Sequence, residues 1–364
     1  GICLVVTFRI KKFRPFTSLG YRMEILPEII KKTLTILALL FLLLAEASAG
    51  KYVWKRITTK DGLSSDLVYS VAVLGDTVWF GTYGGGAVRY EKSRNTFKIF
   101  TTKGENLAKF DDGSSLVWKN LPRYMEITAI AVDGNTLWFG TDFYGKGGGG
   151  FSHYDPSTGK WTLYNTENGL IYKKVLSLAV DGDYLWVGTK RGVSRFDKRK
   201  QSFKNLRLGG NYINSILPTP DSVWFATNDG IIRLDKGTYK TTNYTGGNRL
   251  PEEEAKALAL VGQEIWAGFS DGALARFNPS DKSWHVFNSE DPLGRMPVNS
   301  ILATKDKVYV AKDGGVSIYD IKIKKWSAIT AREGLESQTI FSIALDTDGV
   351  WFGTDSGAYK MILR

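Results

Sequence analysis

The sequence predicts an all-β fold, a seven-bladed β-propeller of four-stranded antiparallel blades. Three observations carry this. A Trp-centred segment recurs seven times, each recurrence lies in a unit of four short apolar runs, and the two ends of the array supply complementary parts of one unit.

The chain begins with a region of a different kind. Leu34 to Ala45 is a 12-residue apolar run between Lys31-Lys32 and Ala47-Ser48-Ala49. As a helix it would reach ~18 Å, short of the ~30 Å hydrocarbon core of a bilayer. A basic flank, a short apolar run and an A-x-A end predict a secretory signal over residues 1–49, cleaved before Gly50. Met23 stands where a start would leave a signal of ordinary length, which would make residues 1–22 an upstream extension. The alternative is an uncleaved anchor. The expectation is a periplasmic or secreted domain over residues 50–364, with no stable membrane span after cleavage.

The repeats follow. Val78-Trp-Phe-Gly-Thr82, Leu137-Trp-Phe-Gly-Thr141, Leu185-Trp-Val-Gly-Thr189, Val223-Trp-Phe-Ala-Thr227, Ile265-Trp-Ala-Gly-Phe269, Val308-Tyr-Val-Ala-Lys312 and Val350-Trp-Phe-Gly-Thr354 are seven copies of one strand. Their central aromatics lie 38 to 59 residues apart, a period that fits units stacking on one another to bury their faces. Before each comes a short apolar run in which, in nearly every copy, Ser or Ala alternates with a branched residue, as in Ser70-Val-Ala-Val73 and Ser177-Leu-Ala-Val180. Crowding near a central axis explains that small face. After each comes a Gly-led third run, then a fourth marked by an outer aromatic: Phe97, Trp161, Phe203, Tyr239, Trp284 and Trp326. Tyr52-Val-Trp-Lys-Arg-Ile-Thr58 reads as a fourth run preceding any first run, and the last unit has only three. Closure by the N-terminal strand in the last blade removes an exposed sheet edge.

Leu137-Trp-Phe-Gly-Thr141, Tyr154-Asp-Pro-Ser-Thr-Gly-Lys-Trp161 and Asn168-Gly-Leu170 together resemble the two-component regulator propeller repeat. Asp61-Gly-Leu63 and Glu333-Gly-Leu335 repeat its closing element, and the resemblance covers residues 51–364. It implies a propeller of the extracytoplasmic sensor type, as found in membrane histidine kinases and hybrid regulators. Because the sequence runs out at Arg364 inside the last blade, the resemblance speaks to fold and location more directly than to signalling.

Composition narrows the chemistry. Cys3, the one cysteine, lies in the region ahead of Gly50, so the mature domain carries no disulfide framework and no thiolate metal site. Of 48 Lys and Arg and 37 Asp and Glu, seven and three fall in residues 1–49, leaving a mature net charge of +7 without long runs. A nucleic-acid footprint would need those cations clustered, so no nucleic-acid partner is expected. Only His153 and His285 are present, each in an expected strand beside an aromatic, and no H-E-x-x-H or Ser/His/Asp set can be assembled from them. No catalytic residue, metal ligand or cofactor is assigned. Gly268-Phe-Ser-Asp-Gly272 matches a nucleophile-elbow string, but it aligns with strand-to-strand turns rather than with a strand-to-helix turn.

In a four-stranded meander, the turns joining strands two and three share a face with the connections between blades. Two long segments, Thr102 to Arg123 and Asp142 to Gly150, fall there. Long loops on a rigid scaffold are where binding concentrates. Trp118, Phe143 and Tyr144 are suited to stack on a sugar or aromatic ligand, with Lys119, Asp142 and Lys146 as polar partners, while Lys190 and Arg191 suit an anion. The function expected is that of an exported non-catalytic binding or sensory module, taking a small molecule or glycan, or a partner protein of the envelope, through this face. The alternatives are a lyase-type propeller enzyme, needing a histidine and a carboxylate to converge on a metal, and an envelope interaction scaffold.

Overall fold

The computed structural model describes residues 52–100, 126–142, 149–209, 211–246, 250–251, 254–287 and 291–363; the expected signal over residues 1–49 lies outside them. The fold is the expected one: seven four-stranded antiparallel sheets, each a meander from an inner strand outward. The inner strands are Val68–Leu74, Glu126–Asp133, Val175–Asp181, Ile213–Pro218, Ala255–Val261, Val298–Ala303 and Ile340–Asp346. Each contacts the next in that order, and Ile340–Asp346 contacts Val68–Leu74, which closes the ring.

Closure uses the N-terminal strand. Val53–Ile57 pairs antiparallel with Gly357–Ile362, from Val53 opposite Ile362 to Ile57 opposite Ala358. Trp54 is the outer aromatic of blade seven. Its ring lies 6.0 Å from Phe352 and 6.2 Å from Tyr359, and its Nε1 donates to the Glu333 carbonyl at 2.7 Å. Glu333 belongs to the Glu-Gly-Leu element leading into the blade, a capped 3-10 turn in which Thr330 and Glu333 satisfy each other's backbone amides. Gly334 has φ 99°, and a Cβ there would sit 2.7 Å from Trp54, so both conformation and contact require glycine. Leu63, Leu170 and Leu335, which end the three such elements, are all buried.

The central aromatics Trp79, Trp138, Trp186, Trp224, Trp266, Tyr309 and Trp351 are buried, each wedged between its own blade and the next. Trp79, for example, lies 5.3 Å from Phe100 of its own blade and 5.4 and 5.2 Å from Phe139 and Tyr154 of blade two. The small residues of the first run serve this blade-to-blade contact. Ser70 and Ser177 sit opposite Gly81 and Gly188, and their hydroxyls donate to the Ile127 and Ile213 carbonyls of the following blade at 3.2 and 2.8 Å. A Cβ on Gly188 would fall 2.2 Å from Ser177 Oγ and 2.8 Å from Ile213. Larger residues would hold two blades apart.

One expectation needs correcting. Tyr239 is not the outer aromatic of blade four. It lies before the strand Thr241–Tyr244 with φ 60°, in the turn position filled elsewhere by Asn95, Gln201, Lys282 and Lys324. The residue equivalent to Phe203 is therefore Thr241, which pairs with Leu234 as Phe203 pairs with Phe196. Tyr239 turns to blade three instead, where Lys204 Nζ lies 3.5 Å from its ring centre and Arg195 donates to its hydroxyl.

A device not anticipated from sequence links three pairs of blades on the face formed by the turns between strands one and two. Asp133, Asp181 and Asp346 end their inner strands and accept the indole N–H of Trp138, Trp186 and Trp351, each at 3.0 Å. Each also accepts a lysine of the next blade: Lys198 at 2.6 Å, Lys236 at 2.7 Å and Lys92 at 2.6 Å. Where the aspartate is replaced, so is the lysine. Leu74 meets Pro156, Thr219 meets Pro279, Val261 meets Ile321 and Thr304 meets Leu363 at the aligned positions. The clasps are thus written into the repeats as coupled pairs, since either member alone would leave a poorly compensated charge.

Candidate functional site

On the opposite face, the connections between blades meet the turns joining strands two and three. Between blades three and four they enclose a cavity of about 640 Å³ lined by Ile171, Tyr172, Lys174, Lys190, Arg191, Arg207, Asn211 and Tyr212. The backbone holds its walls. The connection into blade three is tied to the turn by the Lys190 amide on the Lys174 carbonyl at 3.1 Å. The connection into blade four is tied by the Gly192 amide on the Asn211 carbonyl at 3.0 Å. Asn228 Oδ1 accepts both the Asn211 and Tyr212 amides, at 3.0 and 2.9 Å. Farther out, Ser194 accepts from the Ile171 amide and donates to Asn205, which donates to the Gly169 carbonyl.

Asp142 anchors the cationic wall. It is buried at the end of strand two of blade two, 3.0 Å from Lys174 Nζ and 2.8 Å from Lys190 Nζ. Glu126 stands opposite it in the strand register. Burial, and then the charge of Asp142, push the Glu126 carboxyl above its usual range, while Lys174 and Lys190 pull it partly back. The arginines differ from the lysines. Arg191 lies 4.5 Å over the Tyr172 ring, and among the described residues no carboxylate pairs with Arg191 or Arg207. The cavity therefore offers two tyrosine faces and guanidinium groups that remain available to an anion.

Of the residues singled out from sequence, Asp142, Lys190 and Arg191 come together here, with Asp142 acting as the support that positions Lys190. Trp118, Lys119, Phe143, Tyr144 and Lys146 lie outside the described residues. Sequence reasoning missed Tyr172, Lys174, Arg207 and Tyr212. Their signal was available: Lys173-Lys174 and Arg207 sit in the connections on either side of the Lys190-Arg191 turn.

The histidines are placed apart from this cavity and from each other. His153 is in blade two, its ring 4.3 Å from Trp138, and burial pushes its pKa down. His285 is on the outer strand of blade five beside Phe287. Gly268 to Gly272 is the end of one strand and a turn into the next, so Ser270 is not on an elbow. Among the described residues, no group of three or more His, Cys, Asp or Glu is placed to hold a metal ion.

Comparison with known proteins agrees with this architecture. The family profile described as two component regulator propeller matches residues 334–356. A curated relative, histidine kinase P4 of Formosa agariphila, is 27% identical over 187 residues, covering 47% of this chain and 14% of that protein. Among solved structures, the extracellular domain of the putative hybrid two-component system BT3049 from B. thetaiotaomicron is similar with a TM-score of 0.70 at 20% identity, over 85% of this chain and 42% of that one. That of the putative one-component system BT4673 is similar with a TM-score of 0.66 at 18% identity, over 86% and 40%. PorZ, a surface component of the type-IX secretion system of Porphyromonas gingivalis, is similar with a TM-score of 0.62 at 16% identity, over 83% and 47%. This chain thus spans under half the length of these relatives. It is a seven-bladed β-propeller whose residues 334–356 match the two-component regulator propeller repeat.

Proposed function

We propose that the chain is an exported, non-catalytic binding or sensory propeller that takes a small acidic molecule or acidic glycan in the cavity between blades three and four. The carrying observation is that cavity itself, where among the described residues no carboxylate pairs with Arg191 or Arg207 beside the rings of Tyr172 and Tyr212. A volume of about 640 Å³ suits a small ligand. Tyrosine faces suit sugar rings, and guanidinium forks suit carboxylate or sulfate groups. The relatives named as a histidine kinase and as the extracellular domain of a putative hybrid two-component system support the sensory role, and the separation of the histidines in blades two and five counts against a metal-dependent lyase.

The test is calorimetric titration of the full chain with a uronate-containing disaccharide, a sulfated one and their neutral counterparts. Saturable binding of an acidic sugar, weakened about 10- to 100-fold by Arg191→Ala or Arg207→Ala, is expected from the ~1.5–3 kcal/mol of a charge-assisted hydrogen bond. Equal response to neutral sugars would remove the acidic reading. Silence with every sugar, together with recovery of one stoichiometric partner from envelope extracts, would replace it with protein recognition.

A further inference from the structure

The clasped junctions show what is missing from an unclasped one. At the junction of blades seven and one, Asp346 collects Trp351 Nε1, Lys92 and, at 3.2 Å, Lys360 from strand three of its own blade. At the junction of blades four and five the same positions hold Trp224, Pro279 and Arg233, and the aspartate position holds Thr219. Thr219 is occupied locally, donating from its hydroxyl to the Ser222 carbonyl at 3.0 Å. Among the described residues, nothing accepts a hydrogen bond from Trp224 Nε1. Arg233 lies 5.7 Å over the Trp224 ring, donates from Nε to Ser222 Oγ at 2.8 Å and hydrogen-bonds the Tyr244 side chain; among the described residues no carboxylate comes within ion-pair distance of it, Asp235 feeling its charge only from farther away.

The space left by the missing clasp is a cavity of about 570 Å³. Pro220, Leu260, Ile265, Phe277 and Pro279 supply apolar walls, with Trp224 and Arg233 beside them. Asp221, Gln263 and Lys282 complete the polar rim, with Asp221 and Lys282 exposed. Pro279 deepens the gap in a second way. At the clasped junctions the aligned lysine amide bonds the turn between strands one and two, as Lys236 does to the Asp221 carbonyl at 2.9 Å and Lys198 to Asp183 at 3.0 Å. Proline has no N–H to do so.

We propose that this cavity is a second binding site, on the face opposite the tyrosine-arginine cavity, for a small aliphatic or aromatic carboxylic acid. The ligand carboxylate takes the place of the missing aspartate, accepting from the Trp224 indole and the Arg233 guanidinium. Its hydrocarbon body packs on Leu260, Ile265 and Phe277. Carboxylate recognition by indole N–H plus cation is the arrangement this chain already builds at three of its own junctions, with a side-chain carboxylate as the guest. The site is independent of the acidic-glycan reading.

Phenylacetate, hexanoate and phenylacetamide titrated into the full chain test the assignment. Saturable binding of the acids is expected, with the amide at least tenfold weaker. Arg233→Gln is expected to lower acid affinity at least tenfold. Thr219→Asp with Pro279→Lys rebuilds the clasp; it is expected to abolish acid binding and to raise the melting temperature, which also reports that the variant is folded. Any glycan binding on the other face is expected to survive in the rebuilt variant. Equal binding of acid and amide, acid binding that persists in the rebuilt variant, or no acid binding by the unaltered chain each overturns the proposal.

Discussion

Deleting residues 51–60 is expected to lower the melting temperature by ~10–20 °C and to make the protein prone to self-association. The deletion removes Val53–Ile57, which pairs along its whole length with Gly357–Ile362. Ile57 is buried at 1% exposure, and Trp54 packs on Phe352 and Tyr359 while donating to the Glu333 carbonyl. Removing a buried isoleucine and a packed tryptophan costs ~5–10 kcal/mol together, and each kcal/mol shifts a domain of this size by ~2 °C. The bared edge of Gly357–Ile362 then offers unpaired backbone groups to another molecule. Trp54→Ala alone is expected to produce a smaller loss without association. Differential scanning calorimetry with light scattering measures both; an unchanged melt would show that the ring does not depend on this strand.

Asp346→Ala is expected to be among the most damaging substitutions outside the apolar core, costing ~3–5 kcal/mol. It leaves Lys92, Lys360 and the Trp351 indole, all turned toward one point, without their shared acceptor. Lys360 keeps Asp348 at 2.5 Å, but Asp348 is exposed and holds it from outside. Burial alone would raise the Asp346 carboxyl. The hydrogen bonds from Lys92, Trp351, the Thr347 amide and Lys360 outweigh burial and hold it far below the usual carboxylate range. The sign of the pH dependence follows. A carboxyl depressed in the folded state stabilises above its unfolded pKa of ~4, and that contribution is lost as pH falls below it. The gap between the melting temperatures of the unaltered protein and of Asp346→Asn should therefore hold from pH 7 to about 5, begin to narrow as the pH falls through ~4, and go on narrowing toward the much lower folded-state pKa. A gap that stays constant from pH 5 down to 2.5 would show that the clasp does not titrate.

How much was legible depended on whether a feature repeats. The Trp strand, the small-residue run and the Asn/Asp/Glu-Gly-Leu element recur, so their roles could be argued from pattern, and the structure places each where the pattern required. Tyr239 failed because one aromatic near the right spacing was accepted without counting its turn. The preceding Asp235-Lys236-Gly-Thr sequence fixes a positive φ at 239 and carries the strand on to Thr241. The clasps failed differently. Asp181 and Lys236 are 55 residues apart, and only alignment of whole blades shows that aspartate and lysine appear and vanish together. Lys312 is a third kind of miss. In sequence it looks like decay of the repeat threonine, whereas it is fully buried, 2.7 Å from Asp291, and donates to the Gly272 and Gly294 carbonyls at 3.0 and 2.6 Å. A buried lysine needs such partners, and no spacing rule reveals them.

The sequence by itself determined the number of blades, the strands within each, which strand closes the ring and which face carries the Lys190-Arg191 turn, because strand period and turn chemistry are local and recur seven times. Only the tertiary structure decided which side chains from different blades converge. Asp142 meets Lys174 and Lys190 across a blade boundary, Arg191 and Arg207 share a cavity, and Thr219 and Pro279 leave one open. The physical reason is that contacts between blades depend on how neighbouring sheets stack. That stacking is set by the packing of buried tryptophans, glycines and branched residues along the whole interface.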